Sequence, residues 1–203
     1  MYRIIFATGN AGKMKEIREI LSDLGAEILS MKEAGIRADI VEDGNTFEEN
    51  ALIKAKAVAA LLPEGSNTAV LADDSGLEID YLDGEPGIYS ARYMGEDTSY
   101  RIKNANLIQR LAGVPVEKRT ARFVCAIAAA FPDGSTVIRR GVIEGKIGYE
   151  ERGENGFGYD PIFYLPDMSR TTPELSPEEK NSISHRGRAL QAVKEDLAER
   201  MKA

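Results

Sequence analysis

One cysteine and one histidine are all that this 203-residue sequence offers to thiol and soft-metal chemistry. Cys125 cannot form an internal disulfide, so a reducing, cytoplasmic setting is expected. With His185 the only imidazole, no multi-histidine zinc centre can be built, nor a cysteine-rich zinc or iron–sulfur site. Any metal is then held by oxygen ligands, which points to magnesium, manganese or calcium. Long apolar runs are missing too. The longest, around Cys125 to Phe131, is too short to cross a bilayer, so no membrane partner is expected. Met1 to Phe6 enters a strand-like run without the basic and apolar regions of a signal peptide. Positive charge is in deficit. The net charge is −7 and no Lys/Arg stripe with interleaved aromatics occurs, which argues against long nucleic acid as a partner. A small anionic ligand stays open, because local donors and a metal can override net charge.

What is present is the composition of an ordinary globular protein, 43% hydrophobic and 29% charged. The length suits one domain, with room for two lobes, and no repeat or linker divides residues 1–203.

The centre of the chain is Leu71-Ala72-Asp73-Asp74-Ser75-Gly76-Leu77. The apolar run Ala69 to Ala72 reads as a buried strand that ends on two carboxylates, with Ser75-Gly76 breaking it. Acids at a strand end are placed to present a hard divalent cation to a phosphate. The same residues also make an ordinary solvated turn.

Upstream, Arg3 to Ala7 reads as a first strand running into Thr8-Gly9-Asn10-Ala11-Gly12-Lys13. A helix follows, with Ile17, Ile20, Leu21 and Leu24 at helical spacing and Gly25 ending it. Backbone N–H groups, a hydroxyl and Lys13 at a helix N-terminus make an anion site; a plain capped turn fits equally. The glycine spacing is neither that of a Walker A loop nor that of a dinucleotide fingerprint. Glu27 to Ser30 reads as a second strand. Thr46-Phe47-Glu48-Glu49 reads as a capping box opening a helix to about Leu62. Glu48 and Glu49 are explained as helix-start acids, whereas Glu42 lies before the turn and is the better metal candidate.

Downstream, Ser99 to Leu111 reads as a helix with Ile102, Leu107, Ile108 and Leu111 apolar. Thr120 to Phe131 and Thr136 to Ile147 read as a hairpin around Pro132-Asp133-Gly134-Ser135. Phe157 and Tyr159 lie in a glycine-rich loop with Asp160, ahead of a short strand at Ile162-Phe163-Tyr164. An aromatic between glycines can lie against a planar ligand or simply anchor a turn in the core. Ser176-Pro177 starts a short helix ending near Lys180, and Ser184-His185-Arg186 leads into a final helix with Leu190, Val193, Leu197 and Met201 apolar. Cations at that helix start call for a nearby anion or acceptor.

Six segments, in this order and spacing, resemble the inosine/xanthosine triphosphate pyrophosphatase family (dITP/XTP pyrophosphatases). They are Thr8 to Lys13, Thr46 to Ala51, Ala72 to Leu77, Pro86 to Arg92, Phe157 to Pro161 and Ser184 to Gly187. The resemblance implies an α/β fold, an elongated mixed sheet flanked by helices, with two lobes and a cleft between them. It further implies a homodimer, dependence on Mg2+, and hydrolysis of non-standard purine nucleoside triphosphates to monophosphate and pyrophosphate. Carried over, Thr8, Gly9, Asn10, Ala11, Gly12 and Lys13 would cradle the triphosphate. Asp74 would be proton acceptor and metal ligand, with Glu42 completing the metal site, and Ser75 would contact the substrate. Phe157, Gly158, Tyr159, Asp160, Lys180, His185 and Arg186 would hold the purine. Donors facing the oxygen at position 6 of hypoxanthine or xanthine would be left unpaired against adenine. Competing readings are a Maf-like pyrophosphatase of pyrimidine or modified nucleotides, and a sensor that binds a nucleotide without cleaving it.

Overall fold

Strand and helix signals alternate early in the chain, and they produce a parallel core. The computed structural model describes residues 2–202. β1 (Arg3–Phe6) pairs in parallel with β2 (Glu27–Ser30) on one side and β3 (Thr68–Ile79) on the other. Parallel neighbours need crossovers, which α1 (Ala11–Leu21) and α2 (Phe47–Ala59) supply. The chain steps one way from β1 to β2, then returns past β1 to β3. With crossovers of one hand, that reversal sets α1 and α2 on opposite faces of the sheet. The carboxyl end of β1, where the strand order reverses, is where an open α/β sheet leaves room for a ligand.

β4 (Thr120–Ala130), β5 (Thr136–Ile147) and β6 (Phe163–Tyr164) complete a six-stranded sheet in the order β2-β1-β3-β4-β5-β6. β5 and β6 are antiparallel, so the α/β sheet is mixed, as expected. The turn between β4 and β5 closes with the Phe131 N–H donating to the Ser135 carbonyl. The remaining helices are α3 (Tyr100–Arg110), α4 (Pro177–Ile183) and α5 (His185–Arg200).

The chain forms two compact units. The first comprises Met1–Asp74, Cys125–Gly141 and His185–Ala203. Its core joins Ile4 and Phe6 of β1, Leu71 of β3 and Cys125 and Ile127 of β4 to Ile17 and Leu21 of α1 and Leu190, Val193 and Leu197 of α5. Each such side chain fully removed from water contributes about 1.5–3 kcal/mol. The second unit comprises Ser75–Val124 and Val142–Ser184. Its core gathers Leu77, Ile79, Leu107, Leu111, Ile143 and Ile147 around Phe123 and Phe163, whose ring centres lie 4.5 Å apart.

Local expectations at β3, α2 and α3 need correction. β3 does not stop at Ser75-Gly76 but continues for 12 residues, so both acids lie mid-strand. Turn propensity loses here to pairing with a neighbouring strand. The rim is made instead by β1, whose last rung with β3 is the Ala7 N–H donating to the Leu71 carbonyl. At α2, the Thr46 hydroxyl accepts the Glu49 N–H, but the Glu49 carboxylate accepts from Asn45 rather than from Thr46. α2 also ends at Ala59, its last turn tightening into short-range bonds ahead of Pro63. On α3, Ile102 is 54% exposed while Lys103 and Asn104 are buried with Leu107.

Candidate active site

Consecutive strand residues point to opposite faces, and Asp73 and Asp74 show the consequence. Asp74 faces α2, where Asn50 Nδ2 donates to its Oδ2 at 3.1 Å. Asn50 is fully buried and its Oδ1 accepts the Gly44 N–H at 2.9 Å. The loop approaches so closely that a Cβ at Gly44 would lie 2.7 Å from that Oδ1. One amide thus fixes the Glu42-bearing loop against Asp74. Lys54, one turn further along α2, places Nζ 3.1 Å from Glu42 Oε2 and 4.0 Å from Asp74 Oδ1. Burial pushes the Asp74 carboxyl up, with Glu42 and Asp73 adding to the rise against the opposing pull of Lys54.

Two carboxylates converging on one ammonium form an oxygen donor set that could also hold a divalent cation. Among the described residues, no group of three or more His, Cys, Asp and Glu side chains is arranged to do so. A site of one or two carboxylates, completed by waters and substrate phosphates, is how magnesium is commonly bound.

Asp73 faces α1 and α5, and is 1% exposed. Lys13 Nζ donates to both its oxygens, at 3.1 and 2.9 Å, and Arg186 Nε lies 3.6 Å from Oδ2. Burial alone would raise its carboxyl, but Lys13 and then Arg186 outweigh that and hold it well below the usual carboxylate range. Arg186 also donates to Glu16 Oε2 at 2.6 Å. The anion that its place at the start of α5 called for is therefore supplied by Glu16 and Asp73. His185, the first residue of α5, is also buried.

The segment from Thr8 to Lys13 is the turn that joins β1 to α1. Asn10 caps the helix by accepting the Lys13 N–H at 3.1 Å, while its own N–H donates to Thr8 Oγ1 at 3.2 Å. Gly9, Ala11 and Gly12 present backbone around this cap, and the first turn of α1 contains no acid. An eleven-residue helix opening in this way favours an anion at its N-terminus.

The second unit holds the remaining cluster. Asp160 Oδ2 accepts from Lys180 Nζ at 3.0 Å and from the Phe157 N–H at 3.0 Å, while Oδ1 accepts from the Thr172 hydroxyl at 3.2 Å. Lys180 Nζ stands 5.2 Å from the Phe157 ring centre, and Phe157 is 38% exposed. Gly156 makes the turn possible: its φ is +97°, and a Cβ there would lie 2.6 Å from Asp160 Oδ2. Tyr159 is an anchor, its phenol donating to the Ser90 carbonyl at 2.5 Å. Ser75, half-buried, follows Asp74 on β3.

The structure thus brings Glu42 to Asp74, Lys13 and Arg186 to Asp73, and Lys180 to Phe157 and Asp160. Asn50, Lys54 and Glu16 were not singled out from the sequence. Asn50 carried a signal, being a polar residue beside Ala51 on the buried face of α2.

The model of the Ham1 family matches residues 4–196. The chain belongs to the Ham1 family. Among its Ham1 relatives, the dITP/XTP pyrophosphatase of Exiguobacterium sibiricum is 49% identical over 195 residues, covering 96% of each chain. That of Bacillus subtilis is 48% identical over 193 residues, covering 95% of this chain and 96% of its own. The solved HAM1 protein of Coxiella burnetii superposes with a TM-score of 0.85 at 41% identity, covering 98% of this chain and all of the other.

Proposed function

We propose that this Ham1 protein hydrolyses non-standard purine nucleoside triphosphates, of the dITP and XTP type, to the nucleoside monophosphate and pyrophosphate. The observation that carries the reading is the division of labour on β3. Asp74 and Glu42 share one cation on one face, while Asp73 holds Lys13 of the anion-binding turn on the other. A nucleotide-binding site without hydrolysis would gain nothing from the first pair, since carboxylates repel phosphate unless a cation intervenes.

In this reading Thr8 to Lys13 receive the phosphates of the leaving pyrophosphate through backbone N–H groups and the Lys13 ammonium. Glu42 and Asp74 would hold the magnesium ion. Such an ion supplies charge neutralisation on the phosphate oxygens. The Asp74 carboxylate orients a water molecule and takes its proton as the water oxygen attacks the α-phosphorus. The bond from that phosphorus to the bridging oxygen breaks, and pyrophosphate leaves with the electron pair. Ser75 contacts the substrate beside Asp74. Phe157 offers its exposed face to the purine, with Gly158, Tyr159 and Asp160 shaping the loop, and Lys180 donates to the oxygen at position 6. His185 and Arg186 complete the donor set.

The reading extends to a homodimer in the cytoplasm. Exposed Tyr89, Met94 and Ile102 give the second unit apolar surface of the kind a second copy covers. The buried free thiol of Cys125 suits a reducing compartment. Among the described residues no helix is long and apolar enough to cross a membrane.

The test is incubation with inosine, xanthosine, adenosine, guanosine and pyrimidine triphosphates, with and without magnesium, and identification of the products. Pyrophosphate release from the inosine and xanthosine compounds is expected. Orthophosphate in its place would overturn the mechanism, and preference for a pyrimidine would overturn the substrate class.

A further inference from the structure

Helix α3 carries two polar residues where its apolar stripe should run. Lys103 and Asn104 are each 1% exposed and share the buried face with Leu107. Lys103 Nζ donates to the Ala91 carbonyl at 2.7 Å and stands 4.8 Å from the Tyr100 ring centre. Asn104 Nδ2 donates to Glu151 Oε1 at 2.8 Å and to the Gly158 carbonyl at 3.3 Å. Its Oδ1 is buried with no hydrogen-bond partner. A buried acceptor left unsatisfied costs about 1–3 kcal/mol, which leucine at the same position would avoid. Packing alone therefore gives no reason for an amide here. What the amide gains is its grip on one loop.

That loop is the Phe157–Asp160 segment. Its beginning is held by the Phe157 N–H on Asp160 Oδ2, at 3.0 Å. Its end is held by the Tyr159 phenol on the Ser90 carbonyl and by Tyr100 packed edge-on against Tyr159, with ring centres 5.1 Å apart. Asn104 fixes the middle, at the carbonyl of the residue next to Phe157. The two N–H bonds of an amide lie in one plane at a fixed angle, so the bond to Glu151 also sets the direction of the bond to Gly158. Lys103 acts on the adjoining turn at Ala91, one residue beyond the carbonyl that takes the Tyr159 phenol.

We propose that Asn104 is a positioning residue for base recognition. It presets the Phe157 face and the Asp160–Lys180 pair through the Gly158 carbonyl, without itself touching the base. The proposal rests on the reading of that cluster as the purine end of the site. Its effect belongs in substrate binding and base selection, not in the step at phosphorus.

Asn104→Leu keeps the branching of the side chain, with somewhat more bulk, and removes both donors. Its melting temperature should fall by no more than a few degrees, because the orphaned acceptor goes and the freed Glu151 carboxylate is exposed to water, which offsets the lost bond to the half-buried Gly158 carbonyl and the added bulk. The KM for inosine triphosphate should rise about tenfold with kcat within about threefold, and the preference over adenosine triphosphate should fall about tenfold. Titration with inosine monophosphate should show a matching rise in Kd. Glu151→Ala, at an exposed position, should shift the same quantities the same way by about threefold. A folded Asn104→Leu with KM, Kd and base preference unchanged would overturn the proposal. So would a lowered melting temperature with normal kinetics, the mark of a structural role alone. If Asn104→Leu does not fold, an unchanged Glu151→Ala overturns it instead. Wild-type protein that released no pyrophosphate from inosine triphosphate would overturn the functional reading, and this inference with it.

Discussion

Asp73 and Asp74 are consecutive on β3 and serve opposite faces: Asp73 takes the Lys13 ammonium at 2.9 Å, and Asp74 takes the Asn50 amide at 3.1 Å. The pairing sorts the two acids chemically. Asp73 is buried and neutralised by cations, so it is committed to holding them. Asp74 shares Lys54 with Glu42 and is the acid available to a water molecule or a divalent ion.

Asp74→Asn should therefore abolish turnover and spare the fold. The asparagine Oδ1 can still accept from Asn50, and Lys54 keeps Glu42. Loss of the proton acceptor alone lowers kcat by about 10²–10⁴-fold. Pyrophosphate release and thermal melting, measured on the same preparation, check both halves. Near-normal activity would end the assignment of Asp74 as the base.

Asp73→Asn should behave in the opposite way. It takes the paired carboxylate from Lys13 and leaves Arg186, 3% exposed, with Glu16. Breaking a buried pair by removing one partner costs about 3–5 kcal/mol. Denaturant unfolding should show a lower midpoint with an unchanged slope, the product of shift and slope being of that order. A variant as stable as the wild type would mean that Asp73 is not the keystone of this cluster.

These two acids also mark how far the sequence alone can be read. β2, the β4–β5 hairpin and the capped start of α4 were legible because they rest on local signals: strand runs, a Pro-Asp-Gly turn, and Ser176 before Pro177. The acids were recognisable as a pair, but their division between two faces was not, because Ser75-Gly76 imitates the end of a strand that in fact continues. In the sequence Ile102 is only one of the apolar residues of α3, and tertiary packing buried Lys103 and Asn104 beside it instead. Buried polar residues whose partners are distant in sequence, such as Asn50 with Gly44 and Asp74, become visible only once the chain is folded.

Glu42→Gln should raise the magnesium concentration needed for half-maximal rate, by about tenfold if Glu42 contributes as a ligand or an orienting group. Base preference should not move, since Glu42 lies in the loop that Asn50 fixes to Asp74. A magnesium titration of the rate with inosine triphosphate measures this directly. An unchanged requirement would show that Asp74 holds the ion without Glu42.

Lys180→Ala should weaken discrimination against adenine nucleotides more than it slows the chemistry. Lys180 lies on α4 with Nζ on Asp160 and near the Phe157 ring, so it presents a donor at the edge of the face that Phe157 offers. An oxygen at position 6 of the base accepts from such a donor, whereas the amino group of adenine cannot. The alanine variant loses the donor, and about tenfold of the preference for inosine over adenosine triphosphate should go with it. Asp160 keeps the Phe157 N–H and the Thr172 hydroxyl, so the loop should persist and kcat for inosine triphosphate should stay within a few-fold. The ratio of kcat/KM for the two nucleotides is the measurement. A ratio equal to that of the wild type would remove Lys180 from base selection and leave it a partner of Asp160 alone.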